Sequence, residues 1–148
     1  MQILLSFLTA FFVLAGSVSQ AQDGEFPTPE AQMQKWYAAH MKGAGPFLDE
    51  KQREFWDFMF GEALVKQLKK KERGFDPFYF AQDAEIKNLK ITRIPNGEKP
   101  FALVLVSFNN FGKQMNLIAY MEVTDAGWKL INMVNPEDGT SLVRDLSQ

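Results

Sequence analysis

His40 is the single histidine of a 148-residue chain that contains no cysteine. An imidazole can serve as a general base or a metal ligand. A metal site needs companions, and here only carboxylates could join it. The acids to weigh are Asp76 and Asp83, at the two ends of Asp76-Pro77-Phe78-Tyr79-Phe80-Ala81-Gln82-Asp83. Two carboxyl groups against an apolar wall can differ in proton affinity and divide acid and base work between them. Each residue also has a plainer role. A lone histidine near a helix end is usually a capped or half-exposed residue. Asp before Pro starts a turn. Asp83 can cap backbone donors where the chain enters a strand.

The aromatic residues carry the same choice. Phe75, Phe78, Tyr79 and Phe80, with Gln82 beside them, can line a ligand pocket or present a patch to a partner. They can equally plug one end of the fold, the usual fate of such rings. Trp36 and Tyr37, with Met33 and Met41, can line a hollow or form plain core. Lys69-Lys70-Lys71 and Arg73 can touch an anionic surface, or be a solvated helix end that complements the helix dipole. The chain contains no Gly-rich phosphate loop, no Gly-x-Ser-x-Gly elbow and no His-Glu-x-x-His pair. No residue is therefore assigned a catalytic role, and no cofactor or metal is expected.

Net charge is −2, which argues against a nucleic-acid partner. Residues 1–18 are apolar, and Ser19 and Ala21 occupy the small-residue positions of a cleavage site. The segment reads as a signal peptide, 1–21, too short to be a comfortable membrane span. Its removal leaves about 127 residues, enough for one domain with a real core. The expected location is periplasmic or secreted.

The elements that position these residues follow from periodicity. Residues 22–27 are a loose lead-in, and 28–148 form one domain. Thr28-Pro29-Glu30 is a helix start: hydroxyl cap, proline in the first turn, acid beside it. Met33, Trp36, Tyr37, His40 and Met41 then recur at helical spacing. Gly43-Ala44-Gly45-Pro46 ends that helix. A second helix begins near Asp49, with a break at Gly61 and a continuation over 62–72. Strands are predicted over 86–94, 102–108, 115–123 and 128–134, joined by turns at 95–98, 109–113 and 124–127. Short connections make them an antiparallel meander. Met115, Leu117, Ala119, Met121 and Val123 share one face of the third strand. The second strand is apolar on both faces at its start, so it should be central and covered twice. Leu142, Val143 and Leu146 suggest a short terminal helix. Helices followed by an antiparallel sheet read as α+β. A twisted four-stranded sheet with the helices in its concave face would be a half-cone.

The octapeptide from Asp76 to Asp83 resembles the Asp-Pro-Phe…Ala-Gln-Asp signature of a bacterial family, Domain of Unknown Function 3828. Tyr37 to Gly43 resembles its opening helix, Phe55 with Leu64-Val65 its second, Gly127-Trp128-Lys129-Leu130-Ile131 its closing strand and Ser141-Leu142 its tail. The resemblance covers most of the chain after the leader. It implies a small exported protein with a cystatin-like, nuclear-transport-factor-type α+β fold. Many members carry a lipid-bearing cysteine; this chain has none, which points to a soluble protein. The resemblance supplies no catalytic residues.

The function expected is a non-catalytic binding or protein-interaction domain of the bacterial cell envelope, acting on an envelope assembly or in an immunity-type role. The alternative is a small acid–base enzyme or small-ligand carrier using the hollow. Its partner would be an unknown protein or small ligand of the envelope, and the chain itself a monomer or weak dimer. The candidate pocket or patch is Trp36, Tyr37, His40, Asp76, Phe78, Tyr79, Phe80, Gln82 and Asp83.

Overall fold

The computed structural model describes residues 26–44, 60–62, 65–66, 76–95 and 99–147. The expected leader, residues 49–59 of the second helix and the basic run from Lys69 to Arg73 lie outside the described residues; Phe60, expected as the last buried residue of that helix, is described and instead forms a parallel bridge with Leu130. Of the continuation over 62–72, Glu62, Val65 and Lys66 are described, and they are helical. The named elements are helix α1 (Pro29–Ala39), strands β1 (Ile86–Ile94), β2 (Phe101–Asn110), β3 (Lys113–Thr124) and β4 (Gly127–Val134), and a short helix α2 (Leu142–Ser147). The strands form one sheet in the order β1-β2-β3-β4, every neighbour antiparallel. The architecture is α+β, with α1 packed against the sheet.

Helix α1 begins as its sequence dictates. The Thr28 hydroxyl accepts the Ala31 N–H at 3.4 Å, Pro29 needs no donor there, and Glu30 lies in the first turn. Met33, Trp36, Tyr37 and His40 are buried, as one stripe requires. Met41 is not: it is 52% exposed. The reason is local. At His40 the chain passes into a π-helical turn, His40–Ala44. A wider turn advances less per residue, so the next side chain leaves the stripe.

The sheet buries one face. Ala102, Val104, Val106 and Phe108 of β2 alternate inward, and Met115, Leu117, Ala119 and Met121 of β3 share that face; Val123 is half-buried. Trp128, Leu130 and Met133 of β4 complete it. A register shift after Tyr120 absorbs one extra residue of β4. β2 is central, as its composition requires, but its outward residues Leu103 and Leu105 are only half-buried and Phe101 is exposed. Among the described residues the cover expected on both faces is complete on one.

Two connections are tighter than their composition suggests. Phe111 and Gly112, with φ of 48° and 80°, form the two-residue turn between β2 and β3. Such turns match the sheet's twist and need left-handed backbone. At the β3–β4 turn, Gly127 has φ of 101°, and a Cβ there would lie 3.3 Å from the Phe26 ring. The Trp128 indole N–H donates to the Pro27 carbonyl at 2.9 Å. These contacts fasten the start of α1 to one end of the sheet. Its other end meets residues 76–81 near Phe108, at the opposite end of β2.

Candidate functional site

At that far end the sequence-derived candidates converge. Asp76 opens a compact loop: its backbone N–H donates to the Ala81 carbonyl at 2.7 Å, and its own carbonyl accepts the N–H groups of Tyr79 and Phe80 at 3.2 and 2.8 Å. Its side chain completes the turn, Oδ1 accepting the Phe78 N–H at 2.8 Å. This is the turn-starting role foreseen for Asp before Pro. Pro77 is buried, and Phe80 adopts a left-handed φ of 52° to close the loop.

The second carboxylate oxygen reaches the helix. His40 Nε2 donates to Asp76 Oδ2 at 2.5 Å across 36 residues of sequence. The histidine side chain is 1% exposed and the aspartate 18%. His40 closes α1, its backbone N–H shared between the Trp36 and Tyr37 carbonyls. A second tie lies beside the first, where the Tyr37 hydroxyl donates to the Phe78 carbonyl at 2.6 Å. Met133 Sδ stands 3.9 Å from the same hydroxyl.

The rings interlock around these bonds. Tyr37 stacks on Phe78 with centroids 4.8 Å apart. His40 meets Phe78 edge-on at 5.0 Å and Tyr79 at a tilt at 5.1 Å. Tyr79 turns its ring against Tyr37 at 6.0 Å and Phe108 at 5.8 Å. Pairs of this geometry contribute about 0.5–1.5 kcal/mol beyond their buried area. Burial, then the neighbouring Tyr79 and Asp76, holds the Tyr37 phenol well above its usual range. Burial first and Asp76 second push Tyr79 up to about 12. Both phenols are neutral at physiological pH, and Tyr37 donates its proton to the Phe78 carbonyl.

Of the nine candidates, Tyr37, His40, Asp76, Phe78 and Tyr79 therefore form one knot, and all but Asp76 are buried. Trp36 is buried on the same helix. Phe80 is half-buried, and Gln82 and Asp83 are exposed on the way to β1. Asp83 does not cap the start of β1 with its side chain. Asn110 does so from the neighbouring strand β2, its Oδ1 accepting the Glu85 N–H at 2.9 Å and its amide donating to the Asp83 carbonyl at 3.5 Å. Phe108, Met133 and Asn110 escaped sequence reasoning. Phe108 and Met133 read as ordinary core positions, and Asn110 as part of a turn.

Chemically the knot is a closed tie. Both Asp76 oxygens have partners, and no group of three His, Cys, Asp or Glu converges among the described residues. No described helix is long and apolar enough to cross a membrane. No family model matches the chain, and neither curated proteins nor solved structures include a match to it.

Proposed function

We propose that the protein is an exported, non-catalytic interaction domain of the bacterial cell envelope. The observation that carries this reading is the use made of Asp76 and His40. The groups best suited to acid–base chemistry are spent on each other and on the loop backbone, inside a shell of rings. A general base needs free access to a substrate proton, and each oxygen of this carboxylate already accepts one bond, from an imidazole and from an amide. Export rests on the apolar leader with Ser19 and Ala21. The octapeptide resemblance to the exported family of Domain of Unknown Function 3828 agrees with it. In this reading the sheet curls as a cystatin-like half-cone with α1 in its hollow, and the knot closes one end.

The test separates fold from activity. Asp76→Asn is expected to lower stability by about 1–3 kcal/mol and to leave intact any binding recovered from envelope extract. Binding that disappears while the variant remains folded would contradict the reading. It would favour instead the acid–base or ligand-carrying alternative, which draws on one observation: Asp76 retains 18% exposure beside a buried imidazole. Localisation is checked by fractionating cells that express the whole chain. Retention of the uncleaved protein in the cytoplasm would remove the envelope from the account.

A further inference from the structure

We propose that the outward face of the sheet is an isologous dimer interface, and that its occupant is a second copy of this chain. This rests on the interaction-domain reading and names its partner. On an open antiparallel sheet the solvent face normally alternates to polar residues. Here it does not. In β2 the outward positions are Phe101, Leu103 and Leu105. Tyr120 lies opposite Leu103 and Ile118 opposite Leu105. Ile94 of β1 flanks Leu103, and Val134 of β4 flanks Ile118. Phe101 is 49% and Tyr120 38% exposed, and the other five are half-buried. A patch of seven apolar side chains thus spans the middle of the face, bounded in the same rows by Thr92 of β1 and Asn132 of β4.

Its size suits a second copy. Four strands about 4.8 Å apart and eight residues at about 3.4 Å each, the apolar patch together with its polar rim, give about 500 Å² of projected face. Two such faces remove about 1,000 Å² in total, the lower bound for a specific interface. A concentration-dependent dimer is the expected result.

The charges permit the symmetry. The central rows, Leu103 with Tyr120 and Leu105 with Ile118, carry none. Lys90 projects from the same face in the row of Ser107 and Asn116, toward the β2–β3 turn. Glu122 lies at the opposite end, with Lys129 across from it. A two-fold axis in the interface, running across the strands, lays the Lys90 end of one copy over the Glu122 end of the other. The rim that meets the partner's Lys90 end then carries Glu122 beside Lys129, so no rim sets ammonium groups against ammonium groups alone, which a self-complementary surface requires. Sheets packed this way sit about 10 Å apart with strands near 30° to each other.

Sedimentation velocity of the protein, as the cell delivers it, tests this between about 1 and 100 µM, the range of affinity expected of so small an interface. A dimer that forms within that range is expected. Ile118→Lys should weaken it at least about tenfold by setting like charges face to face. Tyr120→Glu, at a more exposed position, should do the same with a thermal transition unchanged in dilute solution, where the monomer dominates, and serves if Ile118→Lys fails to fold. A monomer throughout the range overturns the proposal, and so does a dimer that both folded variants leave unaltered. Either failure leaves the non-catalytic reading to its own test, because neither substitution touches His40 or Asp76.

Discussion

The two ends of the polarity scale occupy unexpected places in this molecule. Around His40 and Asp76, groups that water would solvate well are enclosed by Tyr37, Phe78 and Tyr79 and bonded to one another. On the sheet's outward face, Phe101 and Tyr120 are exposed and Leu103 and Leu105 between them are half-buried. The comparison separates two uses of a side chain. A buried polar group costs stability unless it is fully partnered, and when partnered it fixes one geometry. An exposed apolar face gives the isolated chain little and becomes useful when something covers it. The knot explains how the fold is held, and the open face explains what the fold can meet.

Substitutions break the comparison most sharply at the knot. Phe78→Ala should destabilise by about 3–5 kcal/mol in urea unfolding, because it empties a fully buried ring site against Tyr37 and His40. At the other end of α1, Trp128→Phe should cost about 1 kcal/mol by removing the indole bond to the Pro27 carbonyl, which lies at an exposed residue that water can reach.

Alkali probes the knot without mutation. Tyr37 and Tyr79 ionise less readily folded than unfolded, where the phenol value is 10.0. The unfolded chain therefore releases protons first, and their contribution, complete below pH 10, is lost as pH rises through the folded values. Stability should fall from about pH 10 toward 12, and the fall should shrink in Tyr79→Phe. A flat profile through that window would mean that the phenols are not enclosed. Tyr120→Thr on the open face should change monomer stability least, within about 0.5 kcal/mol, when measured in dilute solution.

Much of the sheet was legible because alternation with period two is a strong signal. β1 runs over the residues expected, and the inward set of β3 is readable from spacing except for the half-buried Val123, whereas β2, apolar on both faces at its start, leaves its inward phase unmarked. Asn109 and Asn110 look like turn residues and place the β2–β3 turn at 109–113; a two-residue turn at Phe111-Gly112 instead keeps both in the ladder. The phase of α1 was legible until the π-helical turn shifted it and carried Met41 outward. The knot was half legible. Asp76-Pro77 announced a turn and Tyr37 and His40 shared a helix face, but nothing local links residues so far apart in the chain. Their pairing is a property of the packed state.

The most direct test of the account is a double-mutant cycle between His40→Ala and Asp76→Ala, followed by urea unfolding. The tie predicts that the two losses are strongly non-additive, with a coupling of about 1–3 kcal/mol. Additive losses, with coupling below about 0.3 kcal/mol, would contradict it: the imidazole and carboxylate would then be neighbours without a structural bond, free for other chemistry.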